Sequence, residues 1–478
     1  MTAWHDRRFC NTVYNNSIRE KLTTGKSSIT NGIVGRRGYG FTNSTDGTQM
    51  TEKKSTKQRP IGIDLFAGAG GMSLGFEQAG FDVAAAIEID PIHCATHEYN
   101  FPHSKAICSS VVDVTGDEIR QRAGIGGREV DVVFGGAPCQ GFSLIGKRVL
   151  DDPRNRLASH YVRLVEELEP KYCVFENVKG LTLGKHRKFL DEMISALDAA
   201  GYDVVMPYRV LNAADYGVPQ SRQRLFLIGA RKGLPAPAYP EPLKEGATVW
   251  DAIGDLPDAN TFEELKTTDA VRTEWTTEST YARRLRGLER DPGDYSYPRI
   301  HDPDLLSSSL RTEHTDLSKS RFASTEPGKT EPVSRFRKLD PEGLCNTLRA
   351  GTDSARGAFT SPRPIHPSLA RVITVREAAR LHSFPDWFRL HSTKWHGFRQ
   401  IGNSVPPLLG RAVAGQIMQA LGATPKKPRR KLELNEAEFL YMDMGDAAGY
   451  FGVPHDTIAQ RTRKNAPKKV VRDKADVG

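Results

Sequence analysis

The sequence predicts an α/β protein: a doubly wound, mostly parallel, Rossmann-like sheet accompanied by a second, smaller domain. Six short β-branched runs recur between residues 61 and 229, each followed by a helical pattern. Strands alternating with helices build a parallel sheet wrapped on both faces. The first run passes directly into a glycine-rich turn and a helix. From about 232 to 345 the rhythm breaks, and prolines, charges and isolated Trp and Tyr residues replace the alternation.

In chain order, residues 1–59 are rich in Ser, Thr, Asn, Gly and Arg without sustained periodicity and are expected to be disordered. Met50 reads as a natural start, because MTEKKSTKQRP (50–60) leads straight into the first strand. The strand runs are IGIDLF (61–66), DVAAAI (82–87), DVVFGG (131–136), KYCVFE (171–176), DVVMPY (203–208) and RLFLIG (224–229), so 60–240 forms one α/β unit. The smaller domain is 241–345. Residues 346–423 return to the first unit through the helical VREAARLHSF (375–384) and a segment after Pro406-Pro407. A basic linker, PKKPRRK (425–431), opens the tail 424–478.

Composition narrows the function classes. Hydrophobic residues make up 38% and charged residues 26% of 478, as in soluble globular proteins. No run of 18 apolar residues is present, so no membrane helix is expected, and the N-terminus lacks the apolar core of a secretory signal. The six cysteines are scattered, with neither a CxxC pair nor zinc spacing, which fits a reduced cytoplasm and no metal. The net charge of +9 sits in the tails: residues 1–60 carry +7, 424–478 carry +4 and the middle −2. Basic tails suit a polyanion such as DNA, although many only aid solubility.

IGIDLFAGAGGMSLGFEQAGF (61–81) reads as strand, glycine turn and helix. Glycines 68, 70 and 71 allow close backbone approach to a ligand, and Glu88 ends the second strand, where a carboxylate accepts bonds from ribose hydroxyls. Asp113, after the VV of a third segment, is placed to reach an adenine amino group. NAD, FAD or another nucleoside cofactor would satisfy this stretch alone, and so would a plain tight turn. The next strand ends in GGAPCQGFS (135–143). There Cys139 lies between Pro138 and Gln140 on a glycine-flanked turn, where backbone N–H groups favour the nucleophilic thiolate. Cys173, inside YCVF, reads instead as a packing residue, as do Cys94 and Cys108.

FENV (175–178), QSRQR (220–224) and QIGNSVPP (400–407) complete the set of motifs. Together with PCQ, and in this order, they make the sequence resemble the cytosine-C5 DNA methyltransferase family across roughly 61–420. The resemblance implies S-adenosylmethionine as cofactor, with Phe66, Gly68 and Gly70 lining its pocket, Glu88 on the ribose, Asp113 on the adenine, and Pro138 and Asn403 completing the site. It implies that Cys139 attacks C6 of a flipped-out cytosine, Glu176 holds or protonates N3, and Arg224 binds O2. Arg222 would support the catalytic loop or a phosphate, with Gln140 and Thr347 near the extruded base. Double-stranded DNA is then the substrate, a cognate restriction endonuclease a partner, and a monomer bound to the nucleoid the working form. The region 245–345 would read the target, with Arg283, Arg284, Arg286, Arg290 and Arg299 among its contacts.

DAAGYFGVPHDTIAQRTRK (446–464) has helix-turn-helix spacing at Ala448, Gly452 and Ile458, which would put Gln460, Arg461 and Arg463 on a reading helix. A short helical hairpin without DNA contact fits it equally well. Three rivals stand beside the main reading. The tRNA-methylating branch of the family resembles a chain with a reduced recognition region. A dead DNA-binding regulator would not need Cys139, Glu176 and Arg224 intact. A nicotinamide oxidoreductase explains only the glycine turn.

Overall fold

The computed structural model describes residues 58–138, 156–184, 187–351 and 363–458. From Gln58 onward the chain gathers into one unit. Cys139, Gln140, Met50 and residues 459–464 of the 446–464 motif lie outside the described residues.

Eight strands form one sheet. These are β1 (Ile61–Leu65), β2 (Asp82–Glu88), β3 (Lys105–Cys108), β4 (Val132–Gly135), β5 (Tyr172–Val178), β6 (Tyr202–Val204), β7 (Arg209–Asn212) and β9 (Gln223–Arg231), and the intervening β8 (Gln220–Ser221) pairs elsewhere. The order is β3-β2-β1-β4-β5-β9-β6, with β7 on β9. The first five strands are parallel, whereas β9 runs antiparallel to β5, β6 and β7. Five of the six expected runs match these strands closely. DVVMPY instead contributes only Asp203 and Val204 to β6, and β7 begins just after it at Arg209. The third strand is KAIC, and Val111-Val112 occupy the turn after it, so Asp113 stands farther from the strand end than the sequence suggested.

All five residues of β1 are buried, as expected for the centre of a sheet covered on both sides. One face packs against α3 (Gly116–Arg122), α4 (Arg156–Leu168) and α5 (Arg187–Ala199) through Ile119, Tyr161, Leu164, Phe189 and Met193. The other face packs against α1 (Gly71–Ala79) and a late helix, α11 (Pro407–Ala420), through Met72, Phe76, Leu409, Val413 and Ile417. Gly75 allows that crossing: a Cβ there would overlap the backbone of Pro407, Gly410 and Arg411. α2 (Pro91–Asn100) is capped by Asp90, which accepts from the Ile92 amide.

The segment 241–345 contains α6 (Val249–Ile253), α7 (Thr280–Leu285), α8 (Asp316–Ser324) and the two-residue strands β10 (Val271–Arg272), β11 (Arg299–Ile300) and β12 (Leu305–Leu306). Ala259, Leu265 and Leu306 form a small core of its own. A larger core joins Val249, Ala252 and Ile253 to Ala378 and Ala379 of α9 (Val375–Arg380) and to Phe398 and Ile401 of α10 (Lys394–Asn403).

Two arginines expected to face DNA are internal. Arg286 is buried, lies 3.8 Å from the Trp275 ring centroid and donates to the carbonyls of Trp275 and Pro303. Arg299 reaches under the sheet to Glu77 of α1 in a bidentate pair at 2.7 and 2.8 Å, both side chains fully buried. Arg283 and Arg284 pair with Glu289 on the surface.

Burial alone would raise the Glu77 carboxyl; Arg299, with His103 behind it, outweighs burial and brings it down to about 2. A depressed acid contributes stability above its ordinary value of 4.5 and loses it as pH falls toward 2. Arg299→Ala leaves Glu77 a buried, unpaired charge and should reduce the unfolding free energy by about 3–5 kcal/mol in a urea titration at neutral pH. The deficit relative to the parent protein should shrink as the titration is repeated toward pH 2.

Candidate active site

The carboxyl ends of β1, β2, β4 and β5 open into a cavity of about 620 Å³. This is where open α/β sheets bind ligands, and the volume suits a small molecule or cofactor. Phe66, the residue after β1, takes a left-handed backbone (φ 68°) and lines the cavity with Gly68 and Gly71. A bulky residue holds this conformation only where its surroundings enforce it. Gly70, also left-handed at φ 100°, turns away from the cavity, and a Cβ there would strike Phe101. Its part is to let the turn close.

Glu88 ends β2 in the cavity. One carboxylate oxygen accepts from the Gly68 amide at 2.8 Å and the other from the Asp90 amide at 2.9 Å. The carboxylate is thereby fixed in place, with lone pairs left for a hydroxyl-bearing ligand. Ser109, Ser110 and Val111 form the wall after β3, whereas the exposed Asp113 is not part of it. The adenine-side expectation therefore shifts from the Asp113 side chain to the backbone before it.

Sequence reasoning passed over Asp64, in the middle of the apolar β1. It lines the cavity and accepts from the Ser73 hydroxyl at 2.5 Å. Burial, with Glu88 nearby, outweighs that bond and pushes the Asp64 carboxyl up to about 8. An acidic residue inside a buried strand was the available signal. Asp90 and His93, at the start of α2, and Arg399 of α10 also line this end.

At the other end stand Glu176 and Arg224. The β5–β9 register opposes Val178 to Arg224, and Arg224 Nε lies 3.0 Å from Glu176 Oε1. Burial raises the Glu176 carboxyl above the usual range, with Arg224 and then Arg222 opposing. Gly136 makes room for it, since a Cβ there would overlap Glu176 Oε2. Asn177 donates through Nδ2 to the Ala137 carbonyl at 3.1 Å, pinning the chain two residues before Cys139. Pro138, Thr347 and Asn403 line the same cavity. The Thr347 hydroxyl donates to the Ser221 carbonyl at 2.7 Å, where β13 (Cys345–Asn346) pairs with β8.

Arg222 does not face the cavity. It is 1% exposed and donates to three carbonyls: Leu348 at 2.8 Å, Gly402 at 2.7 Å and Ser404 at 2.8 Å. The expected catalytic or phosphate contact is replaced by a structural tie between the cavity's walls. The described cysteines behave as packing residues: all four are buried, and burial raises Cys94 and Cys345 and pushes Cys173 up to about 12. No group of three or more metal-ligating side chains occurs among the described residues.

A doubly wound sheet, a glycine turn under a nucleoside-sized cavity and a buried carboxyl–guanidinium pair at the far end define a Rossmann-like methyltransferase. The family model for C-5 cytosine-specific DNA methylases matches residues 62–419, and the chain belongs to that family, as a DNA (cytosine-5-)-methyltransferase. It is 66% identical over 414 residues to the type II methyltransferase M.XorII of Xanthomonas oryzae pv. oryzae, covering 86% of this chain and 97% of that one. M.AgeI of Thalassovita gelatinovora is 35% identical over 429 residues, covering 75% and 99%. A solved DNA modification methyltransferase encoded within an E. coli prophage is 35% identical with a TM-score of 0.64, covering 76% of this chain and 99% of that one.

Gly136→Ala should push the Glu176 carboxyl out of line with Arg224. If Glu176 acts on the reacting base, displacing it by about 1 Å costs on the order of 100-fold in rate, so kcat in a methyl-transfer assay should fall by about that factor. Affinity for S-adenosylhomocysteine should stay within about twofold, because the Glu88 end is untouched.

Proposed function

We propose that this enzyme transfers a methyl group from S-adenosylmethionine to C5 of a cytosine flipped out of double-stranded DNA, through a covalent bond between Cys139 and C6. The observation that carries the reading is the single cavity joining a hydrogen-bonded Glu88 at one end to the Glu176–Arg224 pair at the other. S-Adenosylmethionine fits the first end: Glu88 would hold the ribose, Phe66 and Pro138 the adenine, and Gly68 and Asn403 the amino-acid portion. It would supply an electrophilic methyl group there.

At the other end the chain's own residues act. C5 of cytosine is a weak nucleophile because the ring is aromatic. Addition of the Cys139 thiolate to C6 forms an S–C bond and moves electron density onto C5. Negative charge then develops toward N3 and O2. Glu176, its carboxyl raised by burial, holds a proton at N3, and Arg224 donates to O2. After methylation the C5 proton leaves to a base, the double bond re-forms and the sulfur departs. The base must be flipped, since C6 is stacked and out of reach inside a duplex. Gln140 and Thr347 would flank it.

Residues 245–345 would read one target sequence, leaving DNA contact to surface arginines such as Arg283 and Arg284 now that Arg286 and Arg299 are internal. The type II names of the relatives support a place in a restriction–modification system, with a cognate endonuclease as the partner activity. Among the described residues no helix is long and apolar enough to cross a membrane.

Bisulfite sequencing of plasmid DNA from cells expressing the protein should reveal protected cytosines in one recurring sequence; random or absent protection would refute the reading. Cys139→Ser should abolish protection while S-adenosylhomocysteine binding stays within about twofold by calorimetry. An oligonucleotide with 5-fluorocytosine at the revealed target should trap the parent enzyme. Peptide mapping should then place the adduct on Cys139 and not on Cys94, Cys108 or Cys173.

A further inference from the structure

The matched family span stops at residue 419, yet the chain beyond it is built into the catalytic unit. β14 (Leu432–Glu433) pairs in parallel with β11. Asn435 Nδ2 donates to the Glu98 carbonyl at 2.7 Å, and Phe439 and Leu440 pack on Ala95 and Tyr99 of α2. The Ser392 amide donates to the Leu440 carbonyl at 2.9 Å, just ahead of α10. α12 (Met444–Phe451), capped by Asp443, then lies on α2 with Ala447 and Ala448 buried. This is the first helix and glycine turn of the spacing noted in the sequence, with Gly452 left-handed at φ 67°.

From Gly452 to Ile458 the chain makes a turn. Thr457 donates to the Pro454 carbonyl through its amide at 3.2 Å and its hydroxyl at 2.6 Å. The turn delivers Ile458 to the wall of the cavity. The two helices supporting this segment, α2 and α10, also bring His93, Trp395 and Arg399 to that cavity. Glu88 leads directly into α2, so this is the end where a nucleoside would lie. A purine ring presents two flat apolar faces, and Ile89 beside Glu88 stands 41% exposed there.

We propose that Ile458 is a cofactor-binding residue: the C-terminal segment supplies an apolar wall to the nucleoside end of the cavity, a wall that the matched family span does not contain. This rests on the reading of the cavity as the S-adenosylmethionine site. The segment then contributes to cofactor affinity from a part of the chain whose sequence pattern suggests DNA binding.

The test uses full-length protein carrying Ile458→Ala, Ile458→Asp or Ile458→Leu. S-Adenosylhomocysteine is titrated calorimetrically, with melting temperature and affinity for a random-sequence duplex measured alongside. Removing most of one apolar contact should weaken S-adenosylhomocysteine binding about three- to tenfold in Ile458→Ala. Ile458→Asp, which brings a carboxylate toward Glu88 and Asp90, should weaken it more than about tenfold. Ile458→Leu, keeping the apolar bulk, should bind like the parent, and none of the three should change duplex affinity or melting temperature. Ala and Asp variants that bind within twofold of the parent overturn the proposal, whatever happens to DNA affinity. So does a Leu variant as weak as Ala. Failure of the parent protein itself to bind S-adenosylhomocysteine would instead remove the functional reading on which the inference stands.

Discussion

The guanidinium of Arg222 holds together three stretches of chain that are far apart in sequence. Its donors meet the carbonyls of Leu348, Gly402 and Ser404, so the strand carrying Arg224, the Thr347 turn and the end of α10 bearing Asn403 share one anchor. Around it the polar groups complete one another. The Leu348 amide donates to Gln220 Oε1, Gln220 Nε2 meets His382 Nδ1, and His382 Nε2 meets the Ser404 carbonyl. Burial, reinforced by the Arg222 charge, holds His382 well below its ordinary value, so it stays neutral and can accept at one nitrogen while donating at the other. A buried cation is tolerated only where carbonyls replace its hydration, and here those carbonyls are the backbone of the site itself. Lysine could not substitute, because a single ammonium cannot span three acceptors in this forked arrangement.

The cavity's acids are held in two ways. Glu88 accepts two backbone amides, which fix the orientation of its carboxyl group. Glu176 and Asp64 are buried and pushed upward, which favours the proton-bearing form. The fold thus combines a carboxyl tethered by backbone amides with two whose burial favours the proton-bearing form. Register contributes as well: in the β5–β9 ladder Glu176 opposes Phe226, two residues from Arg224, so both side chains emerge on one face. A one-residue slip would separate them.

Much of this was legible in the sequence. Local signals sufficed to place residues whose position depends on their own turn: Gly68 and Gly71 after β1, Glu88 at a strand end and Glu176 in FENV all line the cavity. They failed where the role depends on distant partners. Arg222 and Arg299 look like surface arginines in any local window, and only the approach of Leu348 or of Glu77 from more than a hundred residues away makes them internal. Asp113 was misplaced because KAIC is a short strand without alternation, whereas the following Val-Val looked like the better β signal. Ile458 carried no signal beyond an aliphatic anchor position; its placement comes from the docking of α12 on α2.

The pairing of α1 with α11 has a consequence for synthesis. The face of the sheet bearing Val83 and Phe134, with Phe76 of α1 packed on it, is covered by Leu409, Val413 and Ile417, more than 270 residues later in the chain. A ribosome therefore exposes the first half of the enzyme with this side of its central sheet covered by α1 but not yet by α11, and with the carbonyls that bind Arg222 not yet made. Such an intermediate exposes apolar surface for tens of seconds at ordinary elongation rates of about 5–20 residues per second. The sheet is closed on this side only after the late helix has emerged, so the fold is completed when nearly the whole catalytic unit has been translated.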